Sequence, residues 1–231
     1  MKEYLSFGAG VNSTALMLLL LDEGREFESV YVDPGTEWPE TYEFLDYLKG
    51  EGFEFTWIKP VVGGENNLYD YLFKYRILPS VFIRCCTAKF KTGPFYKYAE
   101  NPSLVYIGYD WGEHRYRHLS DKKGIKYKFP LIEKRITRAG CKKIIKEHGL
   151  RVPPKSGCWL CPFQNAKGFK RLRDKHPILF KMGMTLEEVN PRGFTILRNT
   201  SLRGLWQEEK LTDFPGFATP IAESTNNRGQ E

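Results

Sequence analysis

Long hydrophobic runs are missing from this chain of 231 residues. The longest, Ala15–Leu21, falls far short of the ~20 apolar residues that a membrane-spanning helix needs. No secretory leader is expected either, since the N-terminus runs into a strand-like segment without a basic region and cleavage site. The expectation is a cytoplasmic protein with no membrane partner. Cysteine is limited to five residues, and in a reducing compartment these read as metal ligands or catalysts rather than disulfides. Internal sequence repeats are also lacking.

What is present fits a soluble globular protein. Apolar residues at 41% and charged residues at 27% are ordinary for such a chain, and the length suits one α/β domain with a small appended lobe. Aromatic residues, at 15%, are plentiful enough to furnish a core or a cleft with rings. Lys and Arg outnumber Asp and Glu by 35 to 28, a net charge of +7 that suits polyanionic ligands such as nucleotides or nucleic acid as well as plain solubility.

The pattern turns on Ser6-Phe7-Gly8-Ala9-Gly10-Val11-Asn12-Ser13-Thr14. Strand-like Lys2–Ser6 precedes it and a helix over Ser13–Glu23, stopped by Gly24, follows. Glycines between a strand and a helix let the backbone approach a ligand, and the unpaired N–H groups of the helix start favour an anion. An ordinary βα turn is the other reading of the loop. Further alternation follows: strands at Ser29–Asp33, Phe53–Ile58 and Leu104–Gly108, helices at Glu40–Lys49 and Asn67–Tyr75. This predicts parallel βαβ units, with ligands at the carboxyl ends of the strands. Beyond Lys122 the sequence changes: Lys126–Phe129 alternates, Thr137–His148 is a basic amphipathic helix, Lys167–Lys175 is densely basic and Ile178–Val189 is helical. The expected division is a nucleotide-binding α/β domain over 1–135, a C-terminal lobe over 136–222 and a polar, disordered tail over 223–231.

Cys85-Cys86 and the Cys158-Trp159-Leu160-Cys161 pair form the second signal. Four thiolates suit an iron–sulfur cluster or zinc, and two unrelated pairs of buried cysteines are the alternative. Cys141 reads as a core-facing helix residue, with a reactive thiol as the minority reading. Lys89, Lys91, Arg115 and Arg117 are candidates for neutralising phosphate charge, and Asp33 and Glu37 for holding ribose or magnesium. His114 and His118 read as exposed histidines. The basic residues of Lys167–Arg173 could meet nucleic-acid phosphates or form a solvated helix face.

Taken in order, these segments resemble the phosphoadenosine phosphosulfate reductase family of the adenine-nucleotide α-hydrolase, or PP-loop ATP pyrophosphatase, superfamily. The resemblance runs through Ser6–Ser13, Asp33–Thr41, Cys85–Pro94, Gly108–Arg117 and Gly157–Phe163. It implies a Rossmann-like twisted parallel sheet of about five strands. It also implies an adenine nucleotide held by Ser6, Gly8, Gly10, Asn12, Ser13, Thr14, Asp33, Gly35, Glu37 and Gly108. Lys89, Arg115 and Arg117 would be catalytic, and Cys85, Cys86, Cys158 and Cys161 would hold a [4Fe–4S] cluster, with zinc as the alternative. This sequence departs from the family at Ala9 and Asn12, where a glycine and an aspartate are usual, and it has no cysteine after Cys161 to match the reductases' tail nucleophile. The expected activity is ATP cleavage between the α- and β-phosphates, adenylation of an acceptor such as nucleic acid, and iron–sulfur-assisted sulfur transfer. ATP or another adenine nucleotide, Mg2+, a sulfur or electron donor protein and a homodimer belong to that picture. Thiol-dependent reduction of a sulfonucleotide is the first alternative. A metal-stabilised nucleic-acid-binding module without turnover is the second.

Overall fold

The computed structural model describes residues 1–82, 84–113, 121 and 124–212, with the side chains of 208–212 excepted. The predicted tail, His114, Arg115, Arg117 and His118 lie outside the described residues. Five strands form one all-parallel sheet: β1 (Lys2–Phe7), β2 (Glu28–Val32), β3 (Thr56–Ile58), β4 (Ser103–Ile107) and β5 (Ile125–Lys128), in the order β3-β2-β1-β4-β5. The order reverses between β1 and β4. That switch point opens a crevice at their carboxyl ends, where α/β sheets place ligands.

Strand alternation assigns the two faces. Leu5, Phe7, Tyr31, Leu104 and Tyr106 pack with α1 (Val11–Asp22), α2 (Pro39–Gly50) and α7 (Arg138–Glu147). Tyr4, Val30, Val105 and Ile125 face the other way and pack with Phe95. Cys141 is fully buried in the first of these cores, as its place on an amphipathic helix predicts. Thr137 caps α7 by accepting from the N–H of Gly140.

A third apolar cluster gathers Trp38, Leu68, Leu72 and Phe90 with Trp159, Leu160, Phe169, Phe180 and Leu202. It joins α3 (Leu68–Lys74) to α8 (Ala166–Lys175), α9 (Pro177–Val189) and α10 (Leu202–Thr212), so the C-terminal helices share a core with the segment after β2.

One segment differs from expectation, and another carried no expectation. Phe53–Phe55 is not strand: the N–H of Phe53 donates to Leu48 O and that of Gly52 to Lys49 O, closing the end of α2 as a Schellman-type turn. Residues 85–98 form one helical stretch: α4 (Cys85–Thr87), a π-turn (Ala88–Thr92) and α5 (Gly93–Tyr98), continuing past Pro94. The short α6 (Pro130–Glu133) follows β5 and leads towards α7. No helix among the described residues is long and apolar enough to cross a membrane.

Candidate functional site

The glycine loop crosses from the end of β1 to the first turn of α1. Gly8 N–H and Gly10 N–H both donate to Ser13 Oγ, at 3.3 and 3.2 Å, and Ser13 Oγ donates back to Gly10 O at 3.2 Å. Two backbone donors thus converge on one oxygen at a helix N-terminus, which is the arrangement an anion's oxygen exploits. Ala9 takes the left-handed φ of 51° that glycine would adopt freely, and its side chain, 1% exposed, lies in the main core. Ser6, exposed near the end of β1, pairs in register with Val30 and Ile107. Thr14 is fully buried, and its hydroxyl has no hydrogen-bond partner among the described residues.

Gly108 is a contact point rather than a hinge. A Cβ there would meet Ser13 Cα and N at 3.0 Å and Asn12 C at 3.1 Å, all backbone atoms. Only glycine lets the end of β4 lie this close to the start of α1. Across the contact, Asn12 Nδ2 donates to Asp110 Oδ2 and to Glu113 Oε2, each at 3.0 Å, and Arg138 Nη1 donates to Asn12 Oδ1 at 3.2 Å. The amide links two carboxylates to a guanidinium. Arg138 has no signal in the sequence, because it lies 126 residues from Asn12 and belongs to no motif.

At the end of β2, Asp33 accepts from Gly35 N–H (2.8 Å), Tyr42 Oη (2.8 Å) and Trp57 Nε1 (3.1 Å). Burial and the Asp33 carboxylate push the Tyr42 phenol up, which keeps it a donor. Gly35 has φ 71°, and a Cβ there would strike Asn67 at 2.5 Å, so the turn after β2 requires glycine. Asp33 shapes this wall by holding three donors. Glu37, 5% exposed, accepts from Lys91 Nζ at 2.7 Å. Burial pulls the Lys91 ammonium down, but the Glu37 carboxylate outweighs it and raises it overall.

Residues 156–163 run along this wall. Gly10 faces Ser156, whose Oγ would stand 2.5 Å from a Cβ at position 10. Trp38 N–H donates to Gly157 O, Trp159 N–H to Thr36 O, and Cys158 Sγ to Thr36 Oγ1 at 3.2 Å. At the far end the Arg84 guanidinium lies 5.7 Å from the ring centre of Phe163. The loop, the turn after β2, both cysteine pairs and the 85–98 segment are therefore linked in sequence around one region. Lys89 Nζ donates to Tyr71 Oη at 2.6 Å and lies near Cys85.

Burial, then Glu37, pushes Cys158 up to about 12; burial, then Cys86, raises Cys85. The four cysteines have the soft-donor chemistry of an iron–sulfur or zinc site. Their geometry is looser: among the described residues no group of three or more His, Cys, Asp or Glu side chains comes together as a metal site. Cys141, buried beside Asp110, is also pushed up to about 12, chiefly by burial, which makes it a poor nucleophile.

Residues 2–109 match a family model described as phosphoadenosine phosphosulfate reductase domain. The fold is similar to the crystal structure of phosphoadenylyl-sulfate (PAPS) reductase from Candida auris in a phosphate complex. The TM-score is 0.53 at 15% identity, covering 69% of this chain and 82% of that one. No curated protein matches the sequence significantly.

Proposed function

We propose, from the match of residues 2–109 to the phosphoadenosine phosphosulfate reductase domain model, that the chain is an adenine-nucleotide enzyme that cleaves ATP between its α- and β-phosphates. The observation that carries this reading is the convergence of Gly8 and Gly10 N–H groups on one oxygen at the start of α1. A phosphate oxygen replacing the Ser13 hydroxyl would inherit both donors, with Ser13 and the helix dipole behind them. Gly10, Asn12 and Thr14 complete the phosphate side, and Ser6, Asp33, Gly35, Glu37 and Gly108 shape the nucleoside side.

In the proposed reaction an acceptor oxygen attacks the α-phosphorus and the α–β bridging bond breaks. Pyrophosphate leaves with the bonding electrons, and the acceptor keeps an adenylyl group. A sulfur nucleophile then forms a bond to the activated carbon and AMP departs. Charge developing on pyrophosphate needs cations, which Arg138 beside Asn12 would supply, with Arg115 and Arg117 of the Gly108–Arg117 motif as further candidates; Mg2+ bound to the phosphates would share the role. Lys89, bonded to Tyr71 and near Cys85, belongs to the sulfur side. A [4Fe–4S] cluster on Cys85, Cys86, Cys158 and Cys161 would supply sulfide or electrons when bound, with zinc as a purely structural alternative.

Product analysis tests the reading. With water as a slow acceptor, ATP should yield AMP and pyrophosphate. ADP and phosphate, or no turnover with intact nucleotide binding, would contradict it. The family match favours one second reading, reduction of a sulfonucleotide by an external thiol, in which sulfite is the product. The buried, protonated Cys141 argues against an internal nucleophile for that reaction.

A further inference from the structure

The charge of the chain is segregated. From Tyr71 to Ala99, and again from His148 to Arg173, no Asp or Glu occurs, while the two stretches together hold twelve Lys and Arg. Elsewhere acids outnumber bases. The two acid-free stretches are also the two that carry the cysteine pairs. They meet where the Arg84 guanidinium lies over the Phe163 ring, 5.7 Å from its centre.

Large apolar side chains are displayed on these stretches. Phe163 is 64% exposed and Phe82, two residues before Arg84, is 80% exposed. Phenylalanines left in solvent cost hydration free energy, and a cation stacked on one of them gives a surface that is both flat and positive. Lys89 and Lys167 are exposed on the same two stretches. Lys89 and Lys97 also line a groove of about 730 Å3 between the 85–98 segment and Pro60–Gly63.

We propose that the Phe82, Arg84 and Phe163 surface docks a single-stranded nucleic acid, which is the acceptor of the reaction. Bases would stack on the exposed rings and phosphates would meet Arg84, Lys89 and Lys167, the combination that binds single strands without reading their sequence. A duplex fits poorly, because its bases are already stacked and offer these rings no face. Location supports the assignment: residues 156–163 lead from the glycine loop at Ser156, past Cys158 and Cys161, to Phe163. The identity of the acceptor rests on the adenylation reading; the docking surface does not.

The experiment is fluorescence anisotropy of a labelled twelve-nucleotide single strand of mixed sequence, and of its duplex, with the full chain. Calorimetric titration with α,β-methylene-ATP on the same samples reports separately on the nucleotide site. The expected result is preferential binding of the single strand that weakens as salt rises. Phe163→Ala and Arg84→Ala should each weaken it at least fivefold, Phe163→Trp should retain it, and none of the three should alter analogue binding. Lys143→Ala, on the outer face of α7, is the control for general positive charge. The proposal is overturned if the strand does not bind, if the duplex binds equally well, or if Lys143→Ala matches Arg84→Ala. It is overturned too if the patch variants act only on binding of a redox protein. Strand binding that survives while analogue binding is absent would keep the surface and remove the adenylation reading.

Discussion

Asn12 shows how one side chain sets the chemistry of this site. Its amide gives its N–H groups to Asp110 and Glu113 and takes one from Arg138. A carboxylate at position 12 could still accept from Arg138 but would face two like charges at hydrogen-bonding distance. Restoring the family's usual aspartate should therefore harm this protein. Asn12→Asp is expected to lose about 1–3 kcal/mol of stability in denaturant unfolding. Asp110→Asn added to it should recover much of the loss, because the amide and carboxylate have only traded places. Ala9 poses the opposite case. Its left-handed φ costs about 1–2 kcal/mol. Glycine there would relieve that but forfeit a buried methyl, worth about 0.8 kcal/mol, and gain about 0.5–1 kcal/mol of chain entropy to lose on folding. The magnitudes nearly cancel, so Ala9→Gly should leave the unfolding midpoint nearly unchanged.

Among the elements, those with a local signal could be read in the sequence. The order of strands and helices through β4 follows from alternation, capping residues and glycine stops, and the loop before α1 was evident from its glycines. The helical 85–98 segment was not, because Thr87, Gly93 and Pro94 argue against a helix and only burial of Phe90 and Phe95 holds it in place. Nor was the link between Asn12 and Arg138, which depends on α7 packing against α1 across the sheet face. That packing has a pH-dependent tie. His148 at the end of α7 bonds Asp22 at the end of α1 through Nε2 (3.0 Å) and Ile144 O through Nδ1 (2.9 Å). Asp22, then the Ile144 carbonyl, raises the imidazole above its ordinary value. A raised folded-state pKa gives stability that is complete below about pH 6.5 and is lost as pH rises through the folded value. Unfolding measured from pH 5.5 to 8.5 should show that decline, and Asp22→Asn should flatten it.

Over the whole molecule, two acid-free stretches bring the cysteine pairs into one neighbourhood while the remaining sequence is net acidic. The cysteines were conspicuous in the sequence, but their surroundings were not, since Glu37, Lys91 and Thr36 reach them only through the fold. Protein purified without oxygen should contain about four irons and four sulfides per chain if the cluster reading holds, and Cys161→Ala should lose them. One zinc without sulfide would assign the thiols a structural role and remove sulfide supply from the mechanism.

All of the proposed chemistry depends on nucleotide phosphates lying on the Gly8–Ser13 loop, against Gly108. The decisive measurement is calorimetric titration with α,β-methylene-ATP, comparing the native chain with Gly108→Ala. A methyl at 108 must push back the first turn of α1, because the atoms it meets at 3.0 Å are backbone. Saturable binding by the native chain is expected, with at least tenfold weaker binding by a folded Gly108→Ala, about 1.4 kcal/mol. Equal affinity in the two proteins, or no binding by the native chain, would rule out phosphates at this loop.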